Sequence, residues 1–189
     1  VVESVERAKH EAATNAVDLL PDGATVLTHD YSSTVVEAIE LAAREGHHID
    51  VYVTEARPRY LGRRTARTLA EVDRVDTTLI VDGAAGHYLD ESDRVVLGMS
   101  AIVDDTLYNR VGTFPIAATA AELAVPVSAV GASEKLIDEG FVFENEFRSP
   151  AEVMREPAEG FSVANPAYDA TPTHLLDGVV TEAGTEKLE

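Results

Sequence analysis

Five short runs of β-branched and apolar residues recur along the chain with helical stretches between them, and this alternation limits the fold more than any other feature. The runs are Ala24–His29, Ile49–Thr54, Thr77–Asp82, Arg94–Gly98 and Val127–Gly131. Between them lie Ser33–Arg44 (closed by Gly46), Leu61–Glu71 and Thr113–Leu123, with a short connection over Ala84–Leu89. Such alternation is the pattern of a parallel sheet covered by helices. Strands that are apolar throughout are buried on both faces. Ahead of the first run, Val5, Ala8, Ala12, Ala16, Leu19 and Leu20 fall at helical spacing, so a leading helix is expected within residues 1–20, stopped by "LPDG".

The tail changes character from Phe141 on. "GFVFENEF" reads as one more strand, and "SPAEVMREPAEGF" as a loop or short helix. Thr171 as N-cap with Pro172 at the first helical position reads as a helix start, and "GVVT" as a last short strand. There is no repeat or linker, so 1–189 is expected to be one domain. The chain opens on Val1 instead of Met, which leaves room for a preceding N-terminal portion.

Composition narrows the partners. The chain carries 34 acidic against 15 basic residues, a net charge of -19, and only three lysines, Lys9, Lys135 and Lys187. The acids are dispersed, giving a hydrated surface that repels nucleic-acid phosphates and anionic membranes. The same acid-rich, lysine-poor balance suits a salt-loaded cytoplasm, and halophilic origin is the expectation. No apolar run spans a bilayer and no signal peptide opens the chain, so a cytoplasmic location is expected. Without cysteine there is no thiolate metal site and no thiol nucleophile.

Ligands of open parallel sheets bind beyond the carboxyl ends of the strands, and these ends are polar here. His29-Asp30-Tyr31-Ser32 follows the first strand; Glu55, Arg57 and Arg59 follow the second; Asp82, Gly83, Gly86 and His87 end the third; "GMS" and "GASEK" follow the fourth and fifth. Arg57, Arg59, Arg63, Arg64 and Arg67 crowd into eleven residues at an expected helix start, where free N–H groups favour an anion. Arg57 suits bidentate phosphate contact. Arg63, Arg64 and Arg67 read as a solvated face paired with acids. His47-His48 reads as a polar loop and His29 as packing, so no metal is expected. Neither a G-x-S-x-G elbow nor a P-loop is present, and no cofactor is expected.

Six motifs in this order, "VLTHDYSSTV", "VYVTEARPRYLG", "VDGAAGHYL", "LGMSAI", "YNRVGTFPIA" and "NPAYDATP", resemble the C-terminal domain of the family of translation initiation factor 2B alpha, beta and delta subunits. That family also holds ribose-1,5-bisphosphate isomerase and 5-methylthioribose-1-phosphate isomerase. The resemblance runs from about Val5 to Thr181 and implies an α/β, Rossmann-like parallel sheet with helices on both faces. The family's N-terminal helical domain has no counterpart here.

The resemblance implies a sugar-phosphate pocket on the strand tips. Arg57 matches the arginine of the family's T-x-R-P loop, Asn109 and Arg110 its N-K pair, Gly112 and Thr113 the rest of N-K-x-G-T, and Lys135 a lysine after the fifth strand. His29, Asp30 and Ser100 complete the expected ligand-binding set. The isomerases place a cysteine after T-H and an aspartate after G-A, a pair that handles the proton movements of an aldose-to-ketose conversion. Those positions are Asp30 and Ser100 here. A serine hydroxyl cannot act as a general acid or base near neutrality.

The expectation is therefore a non-catalytic, regulatory subunit that binds a sugar phosphate or nucleoside monophosphate and forms a homodimer or higher homo-oligomer. One alternative is an isomerase of a ribose phosphate with Asp30 as the proton-transfer group. Another is an interaction scaffold with a vestigial pocket.

Overall fold

The computed structural model describes residues 2–138 and 140–188. Helix α1 (Val2–Ala16) ends in a single 3-10 turn and leads into β1 (Thr25–His29). Then follow α2 (Ser33–Arg44), β2 (Ile49–Thr54), α3 (Gly62–Leu69), β3 (Val75–Ile80), α4 (Ala85–Leu89) and β4 (Arg94–Gly98). The remainder is β5 (Ala101–Val103), β6 (Thr106–Arg110), α5 (Thr113–Glu122), β7 (Val127–Val130), β8 (Leu136–Ile137), β9 (Tyr168–Pro172), β10 (Gly178–Thr181) and β11 (Gly184–Lys187).

The main sheet has the order β11-β10-β7-β4-β1-β2-β3 and is parallel apart from the β10–β11 hairpin. Alternate residues of its strands feed two separate cores. Val26, Val51, Val53, Val96, Val130 and Val180 pack under α1, α2 and Leu69 of α3. Leu27, Val95, Leu97, Ala129 and Val179 pack under α4 and α5. The period of two thus sends neighbouring residues of each strand to opposite helical layers. The expected sheet with helices on both faces is what forms.

Chain order in the sheet reverses next to β1. From β1 the chain moves outward through β2 to β3, then crosses to β4 on the other side of β1 and continues through β7 to β10. The crevice between the carboxyl ends of β1 and β4 is therefore the switch point, where ligands of open α/β sheets bind.

A second sheet, β8-β5-β6-β9, stands beside that end of the main one. Its β5–β6 hairpin is not among the strands expected from the sequence, and two tail expectations change with it. Thr171 and Pro172 do not begin a helix. They end β9, where Thr171 faces Leu107 and Pro172 faces Thr106 across an antiparallel pair. Pro172 is tolerated because β9 is an edge strand, which can do without one N–H. Only one 3-10 turn, Thr173–Leu175, follows. The expected strand over 140–147 is absent apart from a single bridge between Phe147 and Pro166, whereas "GVVT" is β10. At the sheet's other edge, β3 begins two residues earlier than its apolar pattern suggests, because Val75 and Asp76 pair with Ile49 and Asp50.

Candidate functional site

Two adjoining hollows open at the switch point, with Arg110 in the wall of both. The larger, of about 230 Å³, is lined by Ser32, Ser33 and Thr34 at the start of α2, by Met99 and Ser100 after β4, and by Asn109, Lys9 and Lys135. The smaller is a crevice of about 20 Å³ formed by Asp30, Arg57, Arg59, Arg148 and Asn165 among others. β1 and β4 approach closely here: a Cβ on Gly98 would lie 2.7 Å from the Ser32 side chain. Glycine at 98 thus lets the start of α2 reach the end of β4. Ser32 caps α2 by accepting from the Val35 amide at 3.3 Å.

Asp30 lies in a left-handed turn (φ 64°) between β1 and α2, a conformation that aspartate tolerates better than most residues. The turn is held twice. The Tyr31 N–H donates to Asp30 Oδ1 at 2.6 Å, and the Thr65 hydroxyl donates to the Asp30 carbonyl at 2.6 Å. The carboxylate is mostly buried and forms part of the crevice wall opposite the arginines.

Arg57 belongs to a loop that Asp82 fixes from the end of β3. The two carboxylate oxygens of Asp82 accept from the Ala56 and Arg57 amides at 2.8 and 2.7 Å. The Arg57 guanidinium is exposed and donates to the Val153 carbonyl at 2.9 Å, so the loop and the tail close over the crevice together. Arg59 also lines the crevice. Arg63 pairs with Glu55 at 3.1 Å and lies over the Tyr60 ring, whereas Arg64, exposed and without an acid partner among the described residues, lies over Tyr31 in the wall of the larger hollow.

Lys135 ends a 3-10 turn after β7, Ser133–Lys135. Glu182, just beyond β10, accepts from the Ser133 amide at 2.8 Å and from its hydroxyl at 2.5 Å. Burial pushes the Lys135 ammonium below the usual lysine range and the nearby Lys9 charge adds to this, with Glu134 opposing. Lys135 forms no ion pair among the described residues. Among the described residues the Arg110 guanidinium is tied only to Tyr168, through its hydroxyl at 3.3 Å and its ring face.

The structure divides the expected ligand set. Asp30, Arg57, Ser100, Asn109, Arg110 and Lys135 line the two hollows; His29, Gly112 and Thr113 line neither. His29 is buried, with Nε2 donating to the Val111 carbonyl at 2.7 Å and Nδ1 lying 2.6 Å from the Thr54 hydroxyl. Both ring nitrogens are engaged, so His29 is a strut joining β1, β2 and the 110–113 turn. At the start of α5 the anion is the protein's own: Asp169 Oδ2 accepts from the Gly112 and Phe114 amides at 2.8 and 3.0 Å. Thr113 is fully buried, its hydroxyl donating to the Arg110 carbonyl at 2.6 Å.

Three lining residues escape sequence reasoning: Arg148 and Asn165 come from the irregular tail, and Lys9 comes from α1, far in sequence from any strand tip. The scarcity of lysine was the available signal, since two of the three lysines in the chain face this cavity.

Away from the site, at the amino ends of β2 and β3, His48, Asp50 and Asp76 bring ligand-type atoms within 4.8 Å of one another. The group is largely exposed, with His48 Nε2 lying 2.9 Å from an Asp76 carboxylate oxygen. No helix among the described residues is long and apolar enough to cross a membrane.

The sequence pattern of the initiation factor 2 subunit family matches residues 1–187. Among curated relatives, the ribose 1,5-bisphosphate isomerase of Haloterrigena turkmenica is 38% identical over 87% of this chain and 55% of its own length. That of Haloferax volcanii is 36% identical over 95% and 58%, and that of Methanocaldococcus jannaschii 39% identical over 87% and 55%. The chain thus spans somewhat more than half the length of these relatives.

Among solved structures, the Archaeoglobus fulgidus translation initiation factor eIF-2B subunit delta superposes with a TM-score of 0.87 at 26% identity, covering 98% of this chain and 59% of that one. The Pyrococcus horikoshii 5-methylthioribose 1-phosphate isomerase gives 0.85 at 25%, covering 98% and 58%. These curated relatives are named as isomerases, which overturns the expectation of a non-catalytic regulatory subunit drawn from the altered residues at positions 30 and 100. By sequence and by fold, the chain belongs to the initiation factor 2 subunit family.

Proposed function

We propose that this chain forms the sugar-phosphate domain of an aldose–ketose isomerase acting on a phosphorylated ribose, with Asp30 as a proton-transfer group. One observation carries the reading: the charge of the protein is inverted at the switch point. Acidic residues outnumber basic ones 34 to 15 over the chain. The lining of the two hollows, by contrast, holds Arg57, Arg59, Arg110, Arg148, Lys9 and Lys135 against a single carboxylate, Asp30, with Arg148 and Lys9 also pairing outward to Glu146, Glu152 and Glu6. Cations gathered against a strong opposing background suit an anionic ligand, and two adjoining cationic hollows suit a ligand phosphorylated at both ends. The names of the archaeal relatives support the same substrate class.

In this reading Arg57, Arg110, Asn109 and Lys135 hold phosphate and hydroxyl groups, and the first amides of α2 add their dipole. Asp30 accepts and returns a proton. Ser100 supplies a hydroxyl to the wall and no proton-transfer chemistry. Assembly as a homo-oligomer and adaptation to high salt belong to the same proposal.

The test is turnover of ribose 1,5-bisphosphate in molar KCl, followed by phosphorus NMR. Wild type and Ser100→Ala convert it, while Asp30→Asn binds it without conversion. A wild type that binds the bisphosphate and leaves it unchanged, or an Asp30→Asn variant that turns over normally, refutes the assignment.

A further inference from the structure

The isomerisation asks for two proton carriers, and the residues given a part so far include one. Taking the substrate class proposed above, a furanose phosphorylated on its anomeric oxygen, the ring oxygen must gain a proton as its bond to C1 breaks. C2 must lose a proton, and C1 must later gain one. A carboxylate at position 30 covers the exchange between C2 and C1. Ser100 cannot supply the proton for ring opening near neutrality.

Lys135 lies in the wall of the same cavity as Ser100 and Asn109. It carries a cation with no carboxylate partner among the described residues, in a chain where acids exceed bases by more than two to one. The turn that carries it is anchored at Ser133 by two hydrogen bonds to Glu182, and the Lys135 N–H closes the turn on the Ala132 carbonyl at 3.0 Å. The groups around it are Lys9 from α1, Arg110 from β6, Tyr31 after β1 and Glu134 on its own turn. A lone, partly buried ammonium held on a braced turn beside an acid-poor catalytic wall is placed to donate a proton.

We propose that Lys135 is the second catalytic residue of this chain, the acid that opens the sugar ring, in addition to any grip on phosphate. Resting on the isomerase reading, the steps balance as follows. The Lys135 ammonium gives a proton to the ring oxygen as the C1–O bond breaks. Asp30 removes the proton from C2, and that electron pair forms the C1–C2 double bond. The hydroxyl on C2 then returns its proton to the neutral Lys135 amine as the carbonyl forms, and Asp30 delivers its proton to C1. Both residues end in their starting states, the phosphate stays on C1, and no oxidant or reductant enters. Burial and the Lys9 charge make the ammonium a stronger acid than a free lysine.

The experiment compares wild type, Lys135→Arg and Lys135→Ala in the full chain, with ribose 1,5-bisphosphate as the probe. Binding is measured by calorimetry and turnover by phosphorus NMR. Arginine keeps the charge and donates no proton at neutral pH. Lys135→Arg is expected to bind within about threefold of wild type while kcat falls by about 100-fold or more, the usual range for a lost general acid. The fall of wild-type kcat/KM at alkaline pH is expected to vanish in this variant. Ethylammonium is expected to restore part of the Lys135→Ala rate, and guanidinium none.

Turnover by Lys135→Arg close to wild type, or equal rescue by both cations, overturns the proposal and leaves Lys135 as a phosphate contact. A wild type that binds the bisphosphate without converting it removes the isomerase reading and this one with it. Wild-type turnover matched by Lys135→Arg removes this one alone.

Discussion

Replacing Gly112 by alanine tests whether the strut under the site is built as described. Gly112 has φ 105°, and a Cβ there would lie 2.6 Å from His29 Cε1 and 2.7 Å from Nε2. Two costs follow. Holding a non-glycine residue in that backbone region costs about 1–3 kcal/mol. The imidazole, pinned to the Val111 carbonyl and the Thr54 hydroxyl in a buried setting, must also move and weaken both bonds, at about 1 kcal/mol each.

The sum is about 3–5 kcal/mol, which lowers a urea midpoint by roughly 1–2 M at the slope typical of small domains. Urea unfolding in molar KCl measures it, with His29→Ala as the second arm of a double-mutant cycle. Without the ring, Gly112→Ala keeps only the backbone cost, so the two substitutions are expected to couple by about 2 kcal/mol. A Gly112→Ala cost that is the same in both backgrounds would refute the contact with His29 as its source.

Asp82→Ala frees the Ala56 and Arg57 amides from their shared carboxylate; the expected result is a loss of about 1–3 kcal/mol of stability and weaker bisphosphate binding, read by chemical unfolding and calorimetry. For Glu182, burial alone raises the carboxyl pKa, but the Ser133 hydroxyl and amide outweigh it and the net shift is downward. The stability it contributes is therefore complete above the unfolded carboxylate range and lost as pH falls through the lower folded value. Urea midpoints between pH 6 and pH 3 are expected to show the gap between wild type and Glu182→Gln closing toward acid, and a constant gap would sink this account. A net charge of -19 also predicts a melting temperature that rises between 0.1 and 1 M KCl, as screening shortens from about 10 to about 3 Å; a flat profile would count against salt adaptation.

The main sheet was legible because its signals are local. Each of β1, β4 and β7 is a largely apolar run buried on both sides, β2 alternates Ile49, Val51 and Val53 with half-buried Asp50 and Tyr52, and Ser32 and Gly46 mark the two ends of α2. The second sheet was not legible for the opposite reason. β8 has two residues and β5 three, too few for any period to show. β6 and β9 are polar strands that exist because they pair with each other across roughly sixty residues of chain. Thr171-Pro172 offered a good local helix start, and the ladder to β6 overrode it. The same division holds in the site. Asp30, Arg57, Ser100 and Lys135 follow directly on main-sheet strands and were found by reading past each strand end. Arg148, Asn165 and Lys9 reach the hollows through tertiary packing.

That division bears on how the chemistry is distributed. A thiol and a carboxyl at the positions of Asp30 and Ser100 would place both proton carriers on the tips of β1 and β4. Here the β1 tip carries a carboxylate and the β4 tip a hydroxyl, so under the proposed isomerase reading the second carrier comes from a neighbouring strand. β7 lies next to β4 in the sheet, and the turn after it presents Lys135 to the same cavity. A carboxylate in one hollow and an ammonium in the adjoining one also leave the pair neutral overall, so on this reading Arg57 and Arg110, which have no carboxylate partner among the described residues, balance phosphate, while Arg148 pairs with Glu146 and Glu152 and Lys9 with Glu6.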